Sequence, residues 1–184
     1  MRKKAVFLAA FWVIMIFTRM AASSYAGDVE EERLWISLDV FPRIVSVDQE
    51  LAKKVSPGGA VKLLLLYGDK KETAEKAGKY LKKRLANISG FPVEITLDNK
   101  PSCAGYTAMM LTEKLNDQLF QKALGCAVEN GIILFSPYDD DVPRGATASV
   151  LIKIKVEPYF NKNTLAKSHL QINKTVLKFS SVYE

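Results

Sequence analysis

Residues Ala60–Gly68 read AVKLLLLYG. Four consecutive leucines, flanked by Val61 and Tyr67, leave no polar face. A strand without a polar face has to be covered on both sides. Parallel strands of α/β sheets meet that condition, because crossover helices lie on both faces. Gly58-Gly59 opens the stretch, and Gly68-Asp69 closes it into a charged, helix-like run. The distance between those glycine signals is strand length rather than helix length. The stretch therefore predicts a central buried strand.

Downstream, Asp69–Asn87 is predicted helical, with Ala74, Ala77, Tyr80, Leu81 and Leu85 along one stripe and lysines and glutamates on the other face. Asp69 is a candidate cap. Phe91–Leu97 alternates Val93, Ile95 and Leu97 against Glu94 and Thr96, the pattern of a half-buried, edge-like strand. Gly105–Leu111 is a third strand, Lys114–Leu124 a helix, and Gly131–Phe135 a fourth, fully buried strand. Ala148–Val156 alternates again, an edge strand in which Lys153 and Lys155 discourage pairing with another sheet. Asn161–His169 and Asn173–Val182 are predicted as closing helices led by asparagines. Upstream, Asp28–Val55 is helical and interrupted at Pro42. This order predicts an α/β fold, a Rossmann-like three-layer α/β/α sandwich with a mainly parallel sheet of about five strands and antiparallel edges.

The N-terminus reads as a targeting segment. Arg2, Lys3 and Lys4 precede an unbroken apolar run, Ala5–Phe17, and Ser24-Tyr25-Ala26 puts small residues where a signal peptidase reads. As a helix, that run reaches only about 20 Å, against a hydrocarbon core of roughly 30 Å. Residues 1–26 are therefore expected to be a signal peptide cleaved between Ala26 and Gly27, leaving 27–184 as a single α/β domain in the periplasm. The formal charge of the whole chain is +6, from 26 basic and 20 acidic residues. Four of those basic residues, Arg2, Lys3, Lys4 and Arg19, fall in the leader, so the remainder is nearly balanced. Its charges are interspersed rather than gathered in a phosphate-binding stripe, and nucleic acid is not expected as a partner.

An exported chain meets oxidising conditions, and this one has two cysteines, Cys103 and Cys126. Each precedes a predicted buried strand, and one helix connects the two strands. Parallel neighbours joined in this way start at the same sheet edge, about 4.8 Å apart, within reach of a disulfide. The reading predicts a Cys103–Cys126 bond. Two free thiols or an intermolecular bond are the alternatives.

Motifs for nucleotides, a serine nucleophile elbow and zinc are all missing, and the one histidine, His169, has no catalytic set around it. No enzyme activity, cofactor or metal is expected. The loop Ser136–Gly145 follows the C-terminal end of a central strand, where open α/β sheets place binding sites. Its aspartates, Asp139, Asp140 and Asp141, are consecutive rather than alternately spaced as in a calcium loop, so the segment reads as a solvated turn.

Across about Leu34 to Val182 the chain resembles the YfiR-like family of periplasmic proteins. Val61–Gly68 is similar to the family's first strand and its closing glycine, and Cys103–Leu111 to its cysteine-led buried segment. Gly145–Ile154, Pro158-Tyr159-Phe160-Asn161 and Leu170–Phe179 are similar to its glycine-led strand, helix start and final helix. Trp35 and Pro42 stand apart where the family often joins tryptophan to proline, and Gly145 stands alone where it often has two glycines. The resemblance implies a dimeric, non-catalytic regulator in cyclic-di-GMP signalling. Its implied partner is the periplasmic part of an inner-membrane sensor or diguanylate cyclase, which it restrains. The other reading of the sequence is a periplasmic small-ligand module built on the Ser136–Gly145 loop and the strand ends near Gly68 and Leu111.

Overall fold

The computed structural model describes residues 29–184; the predicted leader and its cleavage site between Ala26 and Gly27 lie outside the described residues. Helix α1 covers residues 29–46, and the compact unit spans Leu34–Glu184. The further elements are α2 (Leu51–Lys54), β1 (Val61–Leu66), α3 (Lys71–Arg84), β2 (Asn87–Ile88), β3 (Phe91–Asp98), β4 (Ala108–Leu111) and α4 (Asp117–Glu129). They are followed by β5 (Ile133–Phe135), a 3-10 turn (Asp139–Asp141), β6 (Ala148–Ile152), β7 (Val156–Asn161), α5 (Lys162–Lys167), α6 (Lys174–Lys178) and β8 (Ser181–Tyr183).

The strands form one sheet in the order β2-β3-β1-β4-β5-β6-β7-β8. As the leucine run predicts, β1 is interior, paired in parallel with β3 on one side and β4 on the other. Alternation then splits its side chains between two cores. Val61, Leu63 and Leu65 pack with Leu34, Leu38 and Phe41 of α1 and with Ala77 and Leu81 of α3. Leu64 and Leu66 pack with Phe120, Ala123 and Ala127 of α4. The fold is thus α/β with helices serving both faces of a mainly parallel sheet.

The expectation of about five strands is corrected to eight. β2 is only two residues long and pairs with β3 across Ser89-Gly90, both of which adopt positive φ (52° and 88°), a hairpin turn too short for periodicity to detect. The run read as one edge strand, Ala148–Val156, instead folds back: β6 ends at Ile152, residues 153–155 turn, and β7 returns antiparallel to it. Pro158 sits within β7, opposite Val150. β6 is consequently interior, between β5 and β7, and Lys153 and Lys155 guard no edge. The predicted last helix is likewise shortened to α6, and β8 then adds in parallel to β7 as the sheet's outer strand.

Helix starts follow their caps. Asn116 Oδ1 accepts from Leu119 N, Asn161 Oδ1 from Thr164 N and Asn173 Oδ1 from Thr175 N, satisfying amides that a helix leaves unpaired. Helix α1 continues through Pro42 rather than stopping there. Between β5 and β6 the register holds a single pair, Phe135 with Ala148. The hydroxyl of Thr147 accepts from Leu134 N at 3.1 Å next to it, so the buried amide is not orphaned.

The predicted disulfide is present: Cys103 and Cys126 are bonded, with Cα atoms 5.8 Å apart. Cys103 lies in the loop before β4, and Cys126 in the last turn of α4 rather than on the segment just before β5. The bond staples the N-terminal ends of two adjacent parallel strands. Among the described residues no helix is long and apolar enough to cross a membrane.

Candidate functional site: the strand ends and the α4–α5 groove

The chain leaves β1 for β3 on one side and β4 on the other, so the sheet's switch point opens beside the C-terminal end of β1. In sheets of this class, exposed amides at such a point receive anionic ligands. Here they are already taken. Glu113, only 6% exposed and two residues past β4, accepts from Gly68 N at 2.8 Å and from Lys70 N at 2.7 Å. Asp69 therefore does not cap α3: the cap residue is Lys70, and the carboxylate arrives from 43 residues downstream. A Cβ at Gly68 would meet Leu115 and Leu119 at 3.4 and 3.7 Å, so side chains as well as charge crowd the point.

The Ser136–Gly145 loop lies at the same sheet edge, but it is not the solvated turn its aspartates suggest. Asp141 is fully buried. Its Oδ2 accepts from Ser136 Oγ at 2.6 Å, and its Oδ1 is paired with the Arg144 guanidinium. Burying a carboxylate is costly unless it is paired and hydrogen-bonded. Arg144 also reaches Asp117 Oδ1 at 2.6 Å and lies 4.1 Å from the centroid of the Phe120 ring. Asp140 pairs instead with Lys114. Asp140 and Asp141 thus point to different cations. Among the described residues no group of three His, Cys, Asp or Glu side chains could hold a metal ion.

Beyond this loop lies a groove of about 460 Å³. Gln121, Leu124, Gly125 and Val128 form its α4 wall, one helical face by spacing. Pro143, Arg144 and Gly145 close one end, and Asn163, Thr164 and Lys167 of α5 form the opposite wall. Asn161 fixes that wall to the loop, its Nδ2 donating to Val142 O at 2.7 Å, while Thr164 Oγ1 donates to Gly145 O at 2.9 Å. Two cations, Arg144 and Lys167, line the groove and no carboxylate does. A second groove of about 240 Å³ runs between α1 and α3. There the Tyr80 hydroxyl donates to Asp39 Oδ1 at 2.9 Å, and Arg84 stands 4.9 Å from the Tyr80 ring. Burial, then the bond to Asp39, raises the Tyr80 phenol above its ordinary pKa.

Of the sequence-based candidates, the strand ends near Gly68 and Leu111 and the Ser136–Gly145 loop do share one edge of the sheet, whereas the disulfide lies at the other. Glu113 and Arg144 escaped sequence reading. The signal available for Glu113 was a lone carboxylate just past a buried strand. For Arg144 the signal was only its spacing three residues after Asp141; its other partner, Asp117, is brought to it by folding.

No family model matches the chain, and no curated protein does. Among solved structures it is similar to a conserved domain protein from Vibrio cholerae O1 biovar eltor, at 14% identity and a TM-score of 0.54, over 73% of this chain and 58% of that one. A lower score, 0.46, relates it to the ABC domain from Streptococcus pneumoniae in complex with L-Trp, at 16% identity over 76% of this chain and 62% of that one. The chain spans about six tenths of the length of these proteins. At such identity the Vibrio likeness is one of fold alone, that of an α/β chain.

Proposed function

We propose that this chain is an exported, non-catalytic regulatory binding protein that acts in the periplasm on an inner-membrane sensor or diguanylate cyclase, as the YfiR-like resemblance implies. On this reading residues 1–26 are a removed leader, the folded part is a Rossmann-like three-layer domain, and two copies associate. The observation that supports it is Glu113. The amides where such a sheet would take a phosphorylated substrate are occupied by the protein's own carboxylate, which leaves outer surfaces to do the binding. Cross-linking in intact cells, followed by purification of the protein and identification of the attached membrane proteins, tests the reading. A sensor or cyclase is expected. Attachment of neither, at a cross-linking yield that captures known periplasmic pairs, would overturn it.

The groove of about 460 Å³ favours a second reading, a small-ligand module whose ligand carries negative charge for Lys167. A ligand present at a hundred times its Kd stabilises the folded state by about 2.7 kcal/mol. Thermal melts against a panel of small anions would read this. A shift that survives Lys167→Gln and Val128→Glu would exclude the groove.

A further inference from the structure

The turn between β6 and β7 carries Lys153-Ile154-Lys155, followed by Val156. Ile154 is 106% exposed and Val156 46%. Phe179, directly after Lys178 at the end of α6, is 78% exposed. These two segments belong to one end of the sheet. β7 and β8 run parallel with Tyr159 opposite Ser181. Glu157 accepts from Ser181 Oγ at 2.8 Å, and Lys155 lies 3.0 Å from the same carboxylate. Single exposed apolar residues are ordinary, whereas three large ones gathered at a tip are not. The flanking charge has one sign. Lys153, Lys155 and Lys178 are exposed, and the one acid among residues 153–157 and 174–181, Glu157, is turned inward onto Ser181 and Lys155.

We propose that this tip docks the protein on an anionic lipid bilayer, with Ile154 and Phe179 entering the interface and Lys153 and Lys178 facing the headgroup charge. Shape and charge select this occupant. The tip protrudes, so a protein partner would have to provide a matching pocket, while a bilayer yields around it. A second copy of the chain would bring lysines against lysines. Lysine stems lie along apolar surface while their ammonium groups remain among the headgroups. Each lysine near such a surface strengthens partitioning about fivefold, and salt weakens the effect. The inference stands independently of the regulatory reading, although docking of this kind would concentrate the protein beside membrane-embedded partners.

Hydrogen exchange of the purified protein with and without phosphatidylglycerol vesicles tests it, with phosphatidylcholine vesicles as control. This readout is local, so membrane contact elsewhere on the chain does not confuse it. Slowed exchange is expected at residues 152–157 and 178–182 with phosphatidylglycerol only, fading as salt is raised. Ile154→Ser and the pair Lys153→Gln/Lys178→Gln, all at exposed positions, are expected to keep the melting temperature and to weaken tip protection fivefold or more. Absent protection, equal protection on phosphatidylcholine, or protection indifferent to these substitutions would overturn the proposal. So would protection that grows with protein concentration without lipid, which would assign the tip to a second copy. Protection on adding lipid-free membrane proteins alone would assign it to a protein partner and overturn it equally.

Discussion

Glu113 joins the start of α3 to the end of β4 through two backbone donors and almost no solvent. Glu113→Ala leaves both amides without their acceptor, and an unmade buried hydrogen bond costs about 1–3 kcal/mol. A fall in melting temperature of roughly 2–4 °C per kcal/mol is expected in a domain of this size; Glu113→Gln, which retains one acceptor, should lose less. A melt of Glu113→Ala superimposable on the parent would refute the cap. Gly145 is constrained differently. Its φ is +118°, and a Cβ there would stand 2.6 Å from Leu124 Cδ2. Gly145→Ala should destabilise by about 1–3 kcal/mol in chemical denaturation, and adding Leu124→Ala should restore the steric part but not the backbone part. At Glu157, the Ser181 hydroxyl first and Lys155 second hold the carboxyl below the usual glutamate range. A depressed folded-state pKa stabilises the protein above the ordinary value, and that contribution disappears as pH falls through the lowered one. Carbon-detected NMR titration should show Ser181→Ala moving Glu157 upward; an unmoved midpoint would contradict the contact.

At the scale of elements, β1 decides whether the sheet exists. Leu64 is fully buried between β3 and β4 and faces α4. Leu64→Asp would bury an unpaired charge at a cost of several kcal/mol, against a total stability of roughly 5–15 kcal/mol. The variant should lack a cooperative thermal transition by circular dichroism, and a normal melt would disprove the burial. The same logic shows where element reading fails. The alternation through Ala148–Val156, broken only at Leu151, runs past Ile152 in sequence, yet the chain reverses there, because a period-two pattern can run on when a hairpin returns in register. Three-residue β8 has no pattern long enough to read, and it takes its conformation from pairing with β7.

In the whole molecule, the Cys103–Cys126 bond ties the loop before β4 to the end of α4, closing 23 residue steps. Restricting that loop in the unfolded chain contributes roughly 3 kcal/mol in the chain-entropy model. Replacing both cysteines by serine should lower stability by about that much, and thiol titration of the unreduced, denatured protein should find no free thiol. Two free thiols would reject the bond. The sheet edge opposite this staple gathers Glu113 and the Ser136–Gly145 loop. One end of the fold is thereby fastened covalently, and the other by buried charge.

By itself the sequence determined the class of the fold and its central strand. Leu63–Leu66 has no polar face, and only a strand covered on both sides accommodates it. It also determined the asparagine starts of α5 and α6 to within a residue or two, since capping depends on neighbours in the chain. The pairing of Cys103 with Cys126 followed once their strands were read as parallel neighbours. Tertiary structure alone decided the strand count, the burial of Asp141 and the two tasks of Arg144 and Glu113. The last two rest on partners distant in sequence: Glu113 serves amides 43 and 45 residues away, and Arg144 a carboxylate 27 away. A carboxylate in a run of aspartates looks solvated until the cation that pairs with it and the hydroxyl that donates to it have been folded around it.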